Sequence, residues 1–207
     1  MVDVLDKMNP DKKVRLINAA MKEFGENRFE KASTNVIVKE AGISKGLLYH
    51  YFSSKKELFN YLFEYSMKTI ALPIAEAVDF EDGDIIRRIE RITKVKVKIF
   101  DEMPSLLSFS KAMYEGMDYE EVKNIIGKYN PIPVDMYYSH NVDKSLFRQG
   151  VDVAMAIKNI QYTLEKVADS YLTQQKMGIE PDINHIIHEV EAFLAHFRNT
   201  YYKKNQA

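Results

Sequence analysis

The 207-residue chain contains no cysteine, which excludes both a disulfide framework and a cysteine-based zinc site. Tryptophan is absent too, and no apolar run approaches the roughly 20 residues that cross a bilayer, so no membrane partner is expected. The opening residues, MVDVLDKMNP, carry acids where a secretory leader has a basic stretch and then an apolar one. A cytoplasmic protein is the expectation. There is no Gly-rich phosphate loop, no Gly-x-Ser-x-Gly, no His-Glu-x-x-His and no Glu-x-x-His. An enzyme is therefore not expected, and no catalytic residue, metal or cofactor is assigned.

What is present is globular in character: 46% apolar and 29% charged residues. The net charge of -1 hides an asymmetry. Residues 1–55 hold ten Lys/Arg against seven Asp/Glu, and the remainder nineteen against twenty-three. A mildly basic N-terminal part on an acidic body suits a protein that sets one end on a polyanion.

Strand-type alternation is scarce and helical spacing dominates, so the fold class is all-α. Asn9-Pro10 reads as an N-cap with proline at the first helical position, and Ile17, Met21 and Phe24 follow at helical spacing. Gly25 is expected to end that helix, with Phe29 folding back onto it. Ser54-x-x-Glu57 is a capping box that opens a long helix, which Pro73 kinks or ends. Gly83-Asp84 starts a helix carrying Ile85, Ile89, Ile92, Ile99 and Met103 on one face. Pro104 opens another through Leu107, Met113 and Tyr114. A short helix is expected from Asp118 to Tyr129, then a break at Asn130-Pro131-Ile132-Pro133. Two long helices close the chain. One starts near Asp152 and runs to about Lys176. The other follows Gly178 and Pro181.

The most informative segment is Thr34 to Glu57, TNVIVKEAGISKGLLYHYFSSKKE. Ile37 and Ala41 give a first short helix its buried face. Gly42 supplies a left-handed turn residue, Ile43 plugs the corner and Ser44 caps a second short helix. Leu48 and Phe52, four apart, anchor that helix, leaving Lys45, Gly46, Leu47, Tyr49, His50 and Tyr51 pointing outward. Such a helix fits the DNA major groove, with Ser44 and His50 counted among its DNA contacts. Lys45 suits a guanine edge or a phosphate, and Gly46 permits close backbone approach. Leu47 suits a thymine methyl, and the tyrosine hydroxyls suit phosphate. Thr34 and Lys55, each at a helix start, are assigned to phosphate as well.

These residues resemble the DNA-binding domain of the TetR family of transcriptional regulators over residues 10 to 69. The carrying pattern is Ala41-Gly42-Ile43-Ser44-Lys45-Gly46, then Leu48-Tyr49-x-Tyr51-Phe52-x-x-Lys55. Val38 stands where that family usually has alanine, and Leu47 where it usually has threonine or another small residue. The resemblance implies a three-helix head with its helix-turn-helix at about 32–51. It also implies a helical effector-binding and dimerisation body over 70–207. The function implied is a homodimeric, sequence-specific regulator, a repressor on a roughly palindromic double-stranded operator, released by a small apolar or amphipathic effector.

For the body, Phe100, Phe109, Met113, Tyr114, Met117, Tyr137, Tyr138, Phe147, Met155 and Tyr162 are candidates to line an effector cavity. Ile160, Leu164, Val167 and Tyr171 on the first terminal helix, with Ile186, Val190, Phe193 and Phe197 on the second, form stripes of alternating three and four. A dimer bundle is expected from them, with an internal two-helix layer as the alternative. A second alternative is an all-α metal-binding enzyme using Asp182, His185 and His188. A third is a DNA-binding protein whose body dimerises without a ligand.

Overall fold

The computed structural model describes residues 4–204 except 116, 134, 178, 180 and 181, and in helices gives the backbone but not the side chains of 107, 108, 111, 119, 172, 175, 176 and 183. The expected boundary residues Gly178 and Pro181 thus lie outside the described residues, as do the side chains of Leu107 and Ile183. Among the described residues there are ten α-helices, one 3-10 turn and no strand. The helices are α1 Pro10–Lys31, α2 Thr34–Ala41, α3 Lys45–Tyr51, α4 Lys55–Ala77 and α5 Ile85–Glu102. They continue with α6 Pro104–Met113, α7 Tyr119–Tyr129, α8 Met136–Ser139, α9 Val153–Lys176 and α10 Ile183–Tyr201. The chain divides into two compact units, residues 1–69 with 99–115, and residues 70–98 with 116–207.

Helix starts are fixed by side-chain caps, of which the sequence alone names Asn9 and the structure adds Asp118 and Asp182. Asn9 accepts from the N–H groups of Asp11 and Lys12, and Asp182 from those of Asn184 and His185. Asp118 and Glu121 form a full capping box. One expected stop fails. Helix α1 continues through Gly25 and breaks only at Arg28, whose φ is +56°. Burial of Met21, Glu23 and Phe24 in the turn before Gly25 outweighs the ~1 kcal/mol that a helical glycine costs. Helix α4 does not end at Pro73 but carries it inside, running to Ala77. The four-residue α8 and the 3-10 turn Lys144–Leu146 carried no periodic signal and were not expected.

In the first unit α1 packs against α2 and α6. Its centre is aromatic. Phe24 meets Phe59 edge-on at 5.1 Å, Phe59 meets Phe109 at 5.2 Å, and Phe29 stacks on Phe24 at 6.1 Å.

The second unit is built on Ile85, Ile86, Ile89, Phe147, Ile160, Leu194 and Phe197. Buried Asp84, at the head of α5, ties this core to the chain's end. It accepts from the Arg87 N–H at 3.0 Å, Arg198 at 2.9 Å and the Tyr202 hydroxyl at 3.0 Å. Arg88 is fully buried and donates to the carbonyls of Tyr137, His140 and Asp82, pinning two loops to α5. Gly83 is required by close approach, because a Cβ there would stand 2.7 Å from the backbone N of Asp143.

Candidate nucleic-acid interface

The corner between α2 and α3 is made by local chemistry. Gly42 adopts φ +66°, its N–H donates to the Lys39 carbonyl, and the Ile43 N–H donates to the Val38 carbonyl at 3.0 Å. This pair of bonds is the Schellman arrangement, and it requires a left-handed residue at Gly42. Ser44 Oγ then accepts from the Leu47 N–H at 3.1 Å and starts α3. Leu48 and Phe52 are 1% and 2% exposed, which fixes which side of α3 faces in.

Side chains of α1 hold this corner. Arg15 Nε donates to the Ala41 carbonyl at 3.0 Å, closing the end of α2. Glu23, itself buried, accepts from the Ser33 N–H at 2.8 Å, and Lys22 meets Glu40 at 2.8 Å. None of these three was picked out from sequence. Helical spacing from the Met21–Phe24 face gave no hint of partners that lie 10 to 26 residues away.

The outward side of α3 is open. Ser44, Lys45, Gly46, Tyr49 and His50 are exposed, and Leu47 and Tyr51 are half-buried. Lys45 Nζ lies 6.0 Å from the centroid of the Tyr49 ring, and the Tyr49 hydroxyl is 3.5 Å from Thr34 Oγ1. Lysine, tyrosine and threonine from two helices thus share one surface. His50 meets the edge of Tyr51 at 5.0 Å. At Gly46 a Cβ would meet nothing nearer than Ser44 Oγ at 4.0 Å, so no contact within the protein excludes a side chain there. Helix α2 differs from α1, α3, α7 and α10 in having no side-chain cap at its N-terminus. First-turn N–H groups without a side-chain cap suit an anion.

Lys55 departs from expectation. Its ammonium is not turned to the surface but donates to the carbonyls of Phe29, Glu30 and Ala32 at 2.6, 3.2 and 3.0 Å, and lies 4.8 Å from the Phe29 centroid. All three of its protons are used on the carbonyl-rich end of α1, where a cation is most favoured. Lys55→Met is therefore expected to destabilise the first unit by about 1.5–3 kcal/mol, the usual worth of hydrogen bonds to a charged group. Unchanged thermal unfolding, together with a salt slope of DNA binding reduced by about one, would restore the phosphate role instead. The capping box at the next helix is also re-wired. The Glu57 N–H donates to Ser54 Oγ, but the Glu57 carboxylate accepts from the hydroxyl and N–H of Ser53, which hold it below the usual carboxylate range.

The residues proposed for an effector cavity scatter. Phe109, Met113 and Tyr114 belong to the first unit: Phe109 is 0% exposed in the aromatic cluster and Tyr114 reaches Met67 Sδ. Phe147 packs on the Tyr202 ring at 4.8 Å in the second unit's core. Met155 and Tyr162 point outward, 54% and 61% exposed. Tyr137 is buried with its hydroxyl on Asn130 at 2.9 Å, while Phe100, Met117 and Tyr138 are half-buried. The interface residues split as well. Ile160, Val167, Tyr171 and Phe197 are buried within the protomer, whereas Leu164, Ile186, Val190 and Phe193 keep part of their surface open. The Asp182 carboxylate is engaged as the α10 cap, and His185 and His188 are exposed. Among the described residues, no three His, Asp or Glu side chains gather as metal ligands.

Comparison with known proteins agrees with this geometry. Residues 16–62 match the family described as bacterial regulatory proteins, tetR family. The HTH-type transcriptional regulator UidR of Escherichia coli K12 is 41% identical over 58 residues, 28% of this chain and 30% of that protein. The chain thus aligns with under a third of the length of the curated relatives it matches first. Over most of its length the chain shares a fold with two solved regulators. The fatty acid degradation regulator FadR of Bacillus halodurans has a TM-score of 0.59 and 21% identity, with 91% of this chain and 96% of that one covered. FadR of Bacillus subtilis, solved in complex with stearoyl-CoA, has a TM-score of 0.56 and 18% identity, with 88% and 97% covered. Residues 16–62 thus carry a segment of the tetR family of bacterial regulatory proteins, and the chain shares the fold of these two regulators over most of its length.

Proposed function

We propose that the protein is a sequence-specific DNA-binding transcriptional regulator in the cytoplasm. It acts as a homodimer that represses from a roughly palindromic operator and lets go on binding a small apolar or amphipathic effector. One observation carries the reading: the Lys45–Tyr49 side of α3 is exposed and held in place by Leu48 and Phe52 behind it. Such a surface enters a major groove, with Thr34 and the uncapped start of α2 taking the flanking phosphate. Lys45 and Leu47 are the base readers, and Tyr49 and Tyr51 the backbone contacts.

Dimerisation is assigned to α9 and α10, where Leu164, Ile186, Val190 and Phe193 remain partly open in the protomer and Met155 and Tyr162 add exposed apolar surface. Two heads must sit about one helical turn apart, ~34–36 Å or a multiple, to use both half-sites. An effector releases DNA only if it binds more tightly to an arrangement that misses this spacing. Helix α4 belongs to both units and is the natural connection.

The test is selection of bound duplexes from a random pool, followed by challenge of the complex with long-chain acyl-CoA. The reading expects an inverted-repeat consensus and loss of binding on challenge. Enrichment of no sequence overturns the DNA-reading assignment. An asymmetric consensus overturns the dimeric one.

A further inference from the structure

A cleft of about 560 Å³ opens in the second unit, where the start of α5, the 3-10 turn and the end of α10 meet. Its volume falls in the range of small-molecule sites, ~300–1,000 Å³. Its chemistry is ionic rather than apolar. Arg87, Arg198, Lys203 and Lys204 line it, against the single carboxylate of Asp84.

That carboxylate is fully engaged. Oδ1 accepts from the Arg87 N–H and the Tyr202 hydroxyl, each at 3.0 Å. Oδ2 takes the Arg198 guanidinium at 2.9 Å and the Arg87 guanidinium at 3.4 Å. Two guanidinium groups from different helices thus converge on one oxygen, and one negative charge faces two positive ones. The lysines add two more. Nearby acids redress this only in part. Asp82 reaches Arg87 at 3.3 Å but lies nearer Arg91, at 2.7 Å. Glu90 stands 3.4 Å from Arg198, and Asp143 feels Lys203 through space. With Arg91 set against Asp82, the balance around the cleft stays positive. The cations are also positioned. The Arg198 guanidinium lies 5.4 Å from the Tyr202 ring centroid. Tyr202 bridges to Phe147, and the Lys203 N–H donates to the Leu146 carbonyl at 2.8 Å, which fixes the backbone that carries the lysines. Tying α5 to the chain's end accounts for Asp84, Arg198 and Tyr202. It accounts neither for the open volume beside them nor for the two exposed lysines that line it.

We propose that this cleft binds a small polyvalent anion, a diphosphate or a tricarboxylate. Arg87 and Arg198 meet one of its acidic groups, as planar guanidinium groups suit oxyanions, and Lys203 and Lys204 meet another. The site does not depend on the apolar effector proposed above. The alternative is a solvated basic surface that attracts anions by charge alone.

Calorimetric titration with pyrophosphate, citrate and sulfate in metal-free buffer separates the two. It is made on the intact protein, on the double variant Lys203→Gln, Lys204→Gln, and on Arg87→Gln. The double variant Lys94→Gln, Lys158→Gln removes the same charge from exposed positions outside the cleft lining. The wild type is expected to bind pyrophosphate or citrate at one site, about tenfold or more above sulfate, because a polyvalent anion engages both pairs of cations. The tighter of the two probes identifies the acidic groups. The Lys203, Lys204 variant is expected to weaken that binding by about tenfold or more, the least expected on losing hydrogen bonds to a charged group, with the melting temperature of the free protein unchanged. Arg87→Gln is expected to weaken it as well, and the Lys94, Lys158 variant to bind like the wild type. Neither probe binding above sulfate, or wild-type binding by the Lys203, Lys204 variant, overturns the site. Equal weakening by the Lys94, Lys158 variant overturns it in favour of attraction by charge alone.

Discussion

Asp84→Ala is expected to remove about 3 kcal/mol from the second unit, a fall in melting temperature of roughly 6–12 °C for a chain of this size. Asp84 is 2% exposed and gathers the Arg87 N–H, the Arg198 guanidinium and the Tyr202 hydroxyl. Removing it leaves the buried Tyr202 hydroxyl without its acceptor and strips the α5 start of its cap. Arg198, about a third exposed, rehydrates in part, which keeps the loss below the upper range for a broken buried pair. Asp84→Asn keeps an acceptor oxygen and is expected to recover about half.

The pH dependence has a definite sign. Burial pushes the Asp84 carboxyl up, but the Arg87 N–H, Arg198 and Tyr202 together pull it further down, so its pKa lies below the usual value. A carboxyl lowered in the folded state contributes stability that is fully present above its unfolded pKa of ~3.9. That contribution is lost as pH falls from there through the folded value. The gap in melting temperature between the wild type and Asp84→Ala should therefore be full at pH 6 and narrow below about pH 4. A gap that grows as the solution is acidified contradicts this assignment.

The second large effect lies on α3. The double variant Lys45→Ala, Tyr49→Ala is expected to weaken operator binding by about a hundredfold or more, given ~1–3 kcal/mol per specific contact. Its stability should barely change. Both side chains are exposed, and the contacts shown for them among the described residues are the 6.0 Å cation–ring contact and the 3.5 Å approach to Thr34. Leu48→Ala, one turn away on the buried side, is the contrasting control: about 2–5 kcal/mol of stability is lost there, because a 1%-exposed leucine leaves a cavity. If the double variant binds like the wild type, the outer side of α3 does not read DNA.

Much of this was legible in the sequence because the signals are local. Caps at Asn9, Ser44 and Asp152, and the turn at Gly42, depend on residues within five positions of one another. The failures are long-range. Where the Lys55 ammonium goes is decided by carbonyls 23 to 26 residues earlier. Phe109 looked like a pocket aromatic, but it joins Phe24 and Phe59 in a cluster that only the packed helices assemble. Other misses were readable after all. Met155 and Tyr162 are seven apart and fall off the Ala156–Ile160–Val167 stripe, so spacing alone places them outward. Arg88, fully buried, falls on the inner side of α5 by the same count.

A photoreactive phenylalanine analogue at position 49, in an otherwise unaltered chain bound to its selected duplex, interrogates the outer side of α3 without assumptions about energy. The account predicts crosslinks at two symmetric positions about one helical turn apart. It predicts none from the same analogue at position 162, which is at least as exposed. Specific binding with crosslinks from 162 and none from 49 would contradict it.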